Sequence, residues 1–195
     1  MPPDLDARRR AVVDRPWSWL RQVHGSRVVT VDEPGGGAGS EADAAVSAVP
    51  GTALVVFTAD CAPVVFASDD GVIGIAHAGW RGLLDGVIDA TVDAMRVLTP
   101  APIRAALGPC IHPSCYEFSP ADLDKVAAQF GDTVRSTTPE GHPALDVPEA
   151  VRIAVRSAGV ELVGEAGVCT ACSPVHFSHR GNGDPERQAA VVWRP

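Results

Sequence analysis

The sequence predicts a single domain of the mixed α/β (α+β) class, spanning residues 1–195. This length is sufficient for one sizeable hydrophobic core and too short for two ordinary domains. Nearly continuous apolar runs rich in β-branched residues are typical of strands buried on both faces. They are interleaved with segments whose apolar residues recur at helical spacing. Strands interleaved with a few helices indicate sheets covered by helices.

Hydrophobic patterning predicts six strands along the chain. The first alternates in character, and the later ones are nearly continuous apolar runs. A glycine-rich flexible loop, PGGGAGS (34–40), follows the first strand. The predicted strands are RVVTVDE (27–33), ALVVFTA (53–59), PVVFAS (63–68), GVIGIAHA (71–78), IRAALG (103–108) and AAVVW (189–193).

Four segments are predicted to be helices. The first, over residues 4–14, is short and rich in Arg and Asp, and the second is a long amphipathic helix over 80–98. The third begins after Ser119, a suitable N-cap, and ends near Gly131. The fourth covers residues 146–160, with Asp146 as its cap.

Composition limits the partners that this chain can have. A net charge of −8 argues against broad binding to nucleic-acid phosphates. No apolar run reaches membrane-spanning length, and no apolar stretch typical of a signal peptide follows the N-terminal arginines. We therefore expect a cytoplasmic protein with no membrane partner. Five cysteines, an odd number, indicate reduced thiols rather than a disulfide framework.

Three residues with metal-ligating side chains stand beside backbone breaks. His24 precedes a glycine, Cys61 lies between two apolar runs, and His77 ends a strand. Two imidazoles and one thiolate suit zinc and leave a fourth coordination position open. Their spacing does not form a compact metal-binding knuckle, however. Taken singly, a histidine at a strand end is usually solvated or hydrogen-bonded, and a cysteine between apolar strands is usually a small buried side chain.

Five segments resemble, in the same order, the motifs of the YfiH/PgeF family. They are QVHGSRVV, EADAAVSAVPGTALVVFTADCAPVVFAS, GVIGIAHAGWRGLLDGVIDATVDAM, ALGPCIHPSCYEF and CTACSPVHFSHRGNG…RQAAVVW. Members of that family have been called polyphenol oxidases (laccases), peptidoglycan editing factors and purine nucleoside phosphorylases. The resemblance implies a compact α/β/β/α sandwich of mixed sheets. It also implies zinc bound by His24, Cys61 and His77, with copper as the alternative suggested by the older family name.

The implied activity is phosphorolysis of adenosine, inosine, guanosine and S-methyl-5′-thioadenosine, together with deamination of adenosine. The implied partners are a nucleoside and phosphate, and the implied assembly is a monomer or a small homo-oligomer. Two departures from the family pattern are present. The chain has FSHRG where relatives usually have FSYRR, and it lacks the N-terminal segment with GGVS and SLN motifs. We expect such a shortened chain to fold and bind zinc but to turn over nucleosides poorly.

The segment GWRG predicts the phosphate site. A tight turn at Gly79 and a helix beginning near Trp80 would direct backbone N–H groups at an anion, and Arg81 would add a guanidinium. Arg180, in the last motif, is a further predicted phosphate ligand, and Asp60 is the candidate general base. The alternatives are a surface ion pair for Arg81, core packing for Trp80 and a turn-capping role for Asp60.

The remaining cysteines are interpreted as structural. Cys110 is predicted to be a packed thiol, and Cys169 and Cys172 form a CxxC pair that we favour as structural thiols over a redox or metal pair. Three other functions compete with the phosphorylase. They are a copper polyphenol oxidase, a hydrolase with Cys61 as nucleophile and His77 as base, and a non-catalytic accessory protein in peptidoglycan editing. A multicopper oxidase needs many histidines in closely spaced pairs, and this chain has six histidines and no HxH pair.

Overall fold

A computed structural model describes residues 3–195 of the chain. The strands in this part are β1 (Trp17–Arg21), β2 (Val28–Thr30), β3 (Ser40–Glu41), β4 (Ala44–Ser47), β5 (Ala53–Thr58), β6 (Ala62–Ser68), β7 (Ile73–Ala78), β8 (Ile103–Leu107), β9 (Arg135–Thr137), β10 (Pro143–Leu145), β11 (Glu161–Glu165) and β12 (Gln188–Trp193). The helices are α1 (Pro3–Val12), α2 (Trp80–Leu84), α3 (Val87–Leu98), α4 (Pro120–Phe130), α5 (Val147–Ser157) and α6 (His179–Asn182).

Two mixed sheets form the body of the domain. The larger has six strands in the order β11-β8-β6-β7-β4-β2, with parallel pairs only at its two edges. The smaller has the order β12-β5-β1-β3, in which β12 is antiparallel to β5 and the other neighbours are parallel. A separate antiparallel hairpin joins β9 and β10.

The six-stranded sheet is covered on both faces. Phe66 on β6 faces α3 and α5, where Val92 and Val151 belong to the same buried cluster. On the opposite face, Ile75 of β7 packs with Leu54 of the four-stranded sheet. Because both faces are covered, the central strands carry apolar residues at consecutive positions, as their sequences predict. Burying one such large side chain contributes about 1.5–3 kcal/mol.

The layers follow the predicted α/β/β/α order. On β1, Ser18 and Leu20 are buried, whereas Trp17 and Trp19 point to the outer face of the four-stranded sheet. Helix α1 reaches this outer face, where the Arg9 guanidinium lies 5.4 Å from the centre of the Trp17 ring. The predicted fold class is therefore confirmed, with a thin outer helical layer.

Several predicted elements are confirmed with their caps. The Ser119 hydroxyl accepts a hydrogen bond from the backbone N–H of Asp122, and the Asp146 carboxylate accepts one from that of Glu149. Each cap satisfies one N–H group that the first helical turn leaves without a partner. Within residues 3–195, no helix has the length and apolar character needed to cross a bilayer.

Two predictions of secondary structure were wrong in extent. The helix predicted over 80–98 is two helices, because Gly86 has φ +80°, a left-handed conformation that interrupts the helix and that glycine adopts without strain. The strand predicted over 27–33 is limited to β2, although the Val31 N–H beyond it still donates to the Val46 carbonyl of β4 at 2.8 Å. Strands β1, β3, β4 and β11 and the β9–β10 hairpin were not predicted, and each of these strands is only two to five residues long.

Candidate metal centre and neighbouring groove

The three predicted ligands converge in space. The ligand atoms of His24, Cys61 and His77 all lie within 4.8 Å of one another. The Cys61 sulfur is 3.8 Å from Nε2 of His24, and the two imidazole rings meet edge to face with centroids 4.8 Å apart. His77 is buried, Cys61 is partly buried, and His24 is exposed at the rim.

Strand register brings Cys61 next to His77. Strands β6 and β7 are antiparallel, with Ala62 opposite Ala78 and Pro63 opposite His77. Cys61 immediately precedes β6, so the same register carries it to the level of Gly79, directly beyond β7. Cys61 and His77 are separated by 16 residues in the sequence, but they lie at the same end of the antiparallel β6–β7 pair, one before its first strand and one near the end of its second.

Asp43, a residue that the sequence analysis missed, holds both candidate histidine ligands through hydrogen bonds. Its carboxylate is fully buried and accepts hydrogen bonds from the backbone N–H groups of Val23, His24 and Gly25. It also lies 2.8 Å from Nδ1 of His77. One carboxylate thus fixes the His24 loop and turns the His77 ring so that Nε2 faces the cluster. A carboxylate behind a ligating histidine is a recurring arrangement in metal sites.

The loop that carries His24 is also held from the side. The Gln22 side chain extends the pairing of β1 with β5, since its amide donates to the Phe57 carbonyl at 2.7 Å and accepts from the Phe57 N–H at 2.8 Å. His24 itself has φ +61°, which is uncommon outside glycine. The hydrogen bonds to Asp43 and Gln22 hold this backbone in place.

Gly79 lets the chain pass close to the ligands. A Cβ atom at this position would lie 2.8 Å from Cδ2 of His24 and 3.2 Å from the Cys61 sulfur. Both distances are shorter than ordinary van der Waals contacts, so no side chain fits here unless the ligands move. The glycine predicted at this turn is required by close approach rather than by φ, which is −72°.

The electrostatics of the cluster favour an ionised thiol. Burial raises the pKa of Cys61, but the His24 and His77 side chains more than offset it and bring the pKa to about 6. Burial lowers the pKa of His77, whereas the Asp43 carboxylate and Cys61 raise it to about 9. Burial likewise raises the pKa of Asp43, yet hydrogen bonds from His77 and the loop N–H groups leave it below its usual range. The thiolate is the form of cysteine that binds metals.

The residues present fit a soft divalent metal ion. Tetrahedral zinc with bonds of about 2.3 Å to sulfur and 2.0–2.1 Å to nitrogen keeps these atoms about 3.5 Å apart, and the Cys61–His24 separation is 3.8 Å. The donor set of one thiolate and two imidazoles belongs to zinc or copper rather than to magnesium or calcium. Three protein ligands leave one position for another molecule.

Asp60 has a structural task beside the cluster. It has φ +93°, and its buried carboxylate accepts hydrogen bonds from the Thr170 hydroxyl, the Ser178 hydroxyl and the backbone N–H of Arg180, each at 2.7 Å. These contacts tie the turn before Cys61 to the 170–180 segment. Its role as general base stays a prediction.

A groove of about 660 Å³ is lined by three of the other predicted residues, Trp80, Arg81 and Arg180, whereas Gly79, Asp60 and the three candidate ligands are not among its lining residues. Trp80 and Arg81 form one wall directly after Gly79, and Arg180 contributes a second guanidinium. The rest of the lining is Glu117, Phe118, Ser119, Pro120, Asp122, His142 and Pro143. The structure therefore brings Arg81 and Arg180 to one cleft, although they are far apart in sequence.

Aromatic rings support both arginines. The Arg81 guanidinium lies 4.2 Å from the Trp80 ring centre, and that of Arg180 lies 4.9 Å from the ring centre of Tyr116 and donates to the Glu117 carbonyl. Such stacking restricts a long side chain that otherwise samples many conformations. Trp80 also packs against Phe118, so it serves both the core and the groove wall.

Tyr116, which lies under Arg180, was not singled out from the sequence, and its hydroxyl is affected by charges of both the groove and the ligand cluster. Burial raises the pKa of its hydroxyl to about 12, and the negative charge of Cys61 acts in the same direction. The positive charges of Arg180 and Arg81 act in the opposite direction. One phenol is therefore within electrostatic reach of the thiolate and of both guanidinium groups.

Fold and site together define a mixed α/β protein with a Cys–His₂ cluster that suits a soft metal ion and a groove, begun by Trp80 and Arg81 directly after Gly79, that two arginines and two acidic residues line. The family model described as multi-copper polyphenol oxidoreductase laccase matches residues 5–195, and the chain belongs to this family, to which the YfiH proteins also belong. A purine nucleoside phosphorylase of Streptomyces coelicolor is 41% identical over 179 residues, which is 90% of this chain and 74% of the relative. One of Xylella fastidiosa is 40% identical over 194 residues, covering 90% of this chain and 71% of the relative.

Solved structures share the fold. The YfiH protein of Bacillus licheniformis superposes with a TM-score of 0.86 at 29% identity, covering 98% of this chain and 81% of that protein. YlmD of Geobacillus stearothermophilus superposes with a TM-score of 0.84 at 29% identity, covering 98% and 80%. The layered architecture is thus that of the family.

Proposed function

We propose that this protein is a metal-dependent purine nucleoside phosphorylase, in which His24, Cys61 and His77 hold zinc. The observation that carries the proposal is that the groove with Arg81 and Arg180 and the ligand cluster share one short segment of the chain. Gly79 lies against the ligands, and Arg81, two residues later, lines the groove. The names of the curated relatives, which are purine nucleoside phosphorylases at about 40% identity, support the same reaction.

In phosphorolysis of a nucleoside, the bond from ribose C1′ to the purine nitrogen breaks and a phosphate oxygen bonds to C1′. The products are the free base and ribose 1-phosphate. The phosphate must be held as an anion next to the sugar, and the two guanidinium groups of Arg81 and Arg180 suit this because their donors match phosphate oxygens. Holding both reactants together supplies much of the acceleration in such a reaction.

The bound metal would supply Lewis-acid stabilisation of negative charge on a substrate oxygen. Around it, Asp43 holds the ligand loop and the His77 ring, while Trp80 and Phe118 offer an apolar aromatic surface to a purine base. We propose adenosine, inosine, guanosine and S-methyl-5′-thioadenosine as substrates, and deamination of adenosine by water as a second reaction. The partners are these small molecules, and the protein acts in the cytoplasm as a monomer or small homo-oligomer.

The test is the dependence of inosine cleavage on phosphate. Protein of measured metal content is incubated with inosine, with and without inorganic phosphate, and products are separated by chromatography. The proposal expects hypoxanthine and ribose 1-phosphate together, only when phosphate is present, with Arg10→Ala on the exposed face of α1 as a control variant of unchanged rate. Release of hypoxanthine and free ribose at the same rate without phosphate would contradict it.

One observation favours a second candidate, a metal-free hydrolase with Cys61 as nucleophile and His77 as base. The pKa of Cys61 at about 6 and that of His77 at about 9 describe a thiolate–imidazolium pair when no metal is bound. Chelation separates the candidates. The phosphorylase loses activity when its metal is removed and recovers with added zinc, whereas the hydrolase retains activity and is blocked by alkylation of Cys61.

A further inference from the structure

A second cluster of soft ligands lies apart from His24, Cys61 and His77. The sulfurs of Cys115, Cys169 and Cys172 are all within 4.8 Å of one another, and those of Cys115 and Cys172 are 3.1 Å apart. All three are free thiols. From the sequence, Cys169 and Cys172 were interpreted as a structural pair, and Cys115 was not considered with them.

The fold brings two distant segments together to form this cluster. Cys110 and Cys169 form an isolated parallel bridge, in which the Cys110 N–H donates to the Val168 carbonyl and the Thr170 N–H donates to the Cys110 carbonyl. After this bridge, each segment makes a single 3-10 turn, Pro113–Cys115 and Thr170–Cys172. The turns end with Cys115 and Cys172 facing each other. Cys110 itself is buried in the apolar core, as predicted.

A backbone N–H group is directed at the sulfur of Cys169. The His112 N–H, which belongs to the other segment, donates to it at 3.4 Å. Sulfur is a weak acceptor when it carries a proton, so an N–H directed at this sulfur suits a thiolate better than a thiol. Hydrogen bonds from the backbone to sulfur are among the features that tune metal–thiolate centres.

We propose that Cys115, Cys169 and Cys172 bind one thiophilic divalent cation, zinc, at a second site separate from the first. Tetrahedral zinc with bonds of about 2.3 Å keeps its sulfurs about 3.8 Å apart, which lies between the 3.1 Å of the closest pair and the 4.8 Å limit of the cluster. Cys172 is exposed, so an ion has a path from solvent. The fourth position is open to water.

This second ion cross-links the two 3-10 turns next to residues that support the groove. Thr170 stands between two of the ligands, and its hydroxyl donates to the Asp60 carboxylate. On the other segment, Tyr116 follows Cys115 directly and lies under the Arg180 guanidinium. A metal bridge between the two turns therefore restrains both the partner of Asp60 and the ring that supports Arg180.

The test is the zinc content per chain, measured by mass spectrometry of metals after gel filtration under reducing conditions. Wild-type protein should carry two zinc ions, and Cys61→Ser and Cys172→Ser should each carry one. Cys115→Ser should match Cys172→Ser, whereas the control Cys110→Ala should retain two. Cobalt substitution of the Cys61→Ser protein should give the intense thiolate-to-metal absorption, and this should disappear when Cys172→Ser is added.

Three results would overturn the proposal. The first is unchanged metal content in both the Cys115→Ser and the Cys172→Ser proteins, each shown to be folded by circular dichroism. The second is metal-free Cys61→Ser protein with a Cys115–Cys172 disulfide, seen as a loss of two hydrogens in the intact mass. The third is wild-type protein that carries only one zinc ion, which the Cys61→Ser substitution removes.

Discussion

Replacing Asp43 by asparagine tests whether this buried carboxylate sets the geometry of the metal centre. One carboxylate oxygen accepts from the His24 N–H and contacts Nδ1 of His77, and the other accepts from the N–H groups of Val23 and Gly25. An asparagine has nearly the same shape but only one oxygen. Whichever way the amide is turned, its NH₂ group replaces an oxygen that accepted from two groups, either His24 N–H and His77 Nδ1 or the N–H groups of Val23 and Gly25.

The magnitude follows from these contacts. If the amide oxygen faces His77, the N–H groups of Val23 and Gly25 lose their acceptor, and each buried unsatisfied donor costs about 1–3 kcal/mol, so the free energy of unfolding falls by about 2–6 kcal/mol. If the amide is reversed, Nδ1 of His77 must accept the hydrogen bond. Its proton then moves to Nε2, the atom that faces the metal ligands, and the histidine cannot bind a cation in that form.

Two measurements follow. Zinc affinity, determined by competition with a chromophoric chelator, should fall about 10–100-fold, the usual effect of removing a carboxylate behind a ligating histidine. The melting temperature of metal-free Asp43→Asn protein should fall by roughly 4–24 °C, at about 2–4 °C for each kcal/mol in a domain of this size. Comparing the melting temperatures of metal-free wild-type and metal-free Asp43→Asn protein separates the loss of folding stability from the loss of metal binding.

The matched control is Asp93→Asn, which changes an exposed carboxylate on α3 paired only with the neighbouring Arg96. It should alter neither quantity, because an exposed pair of this kind contributes about 0–1 kcal/mol. The reasoning is refuted if Asp43→Asn protein binds zinc as tightly as the wild type and melts at the same temperature.

Three further predictions concern the ligands and the groove. Gly79→Ala places a methyl group against two candidate ligands and should lower metal affinity at least tenfold. The control Gly164→Ala should leave the affinity unchanged, because its added carbon would make only an ordinary contact at 3.9 Å. Equal metal affinities of the two variants would contradict the close-approach argument. Cys61→Ser and His77→Ala should each lose the metal of the first site in elemental analysis, and full occupancy in either protein rules this site out. Arg81→Ala should raise the KM for phosphate by roughly tenfold or more, in line with about 1.5–3 kcal/mol for a charged hydrogen bond, while adenosine deamination changes less; equal loss of both reactions would indicate a structural role.

Local signals in the sequence were sufficient for most of the regular elements. Helices α4 and α5 begin at the predicted caps, and the strands from residue 53 to residue 78 lie where the apolar runs indicate. An Asp-Gly pair is a common turn signal, and residues 85–86 form one at the break between α2 and α3, but this signal was not used when one helix was predicted over 80–98. Strand β4 was missed because its four short residues follow a charged segment and pair only with distant strands.

The three candidate ligands could be singled out because thiol and imidazole groups beside chain breaks are visible in the sequence, and the family resemblance grouped them into one predicted site. The role of Asp43 could not be predicted. Its function depends on the antiparallel register of β4 with β7, which places it opposite His77, and nothing near Asp43 in the sequence indicates this register. The cluster of Cys115 with Cys169 and Cys172 was hidden in the same way, since an isolated bridge between distant segments forms it.

The sequence by itself determined which segments are strands or helices and which side chains are soft ligands. These properties depend on residue type and on neighbours a few positions away. Only the tertiary structure decided which groups meet: Asp43 with His77, Arg81 with Arg180 in one groove, and three cysteines around one point. Such meetings depend on strand register and on the packing of segments remote along the chain, where a shift of one residue would turn a side chain to the opposite face.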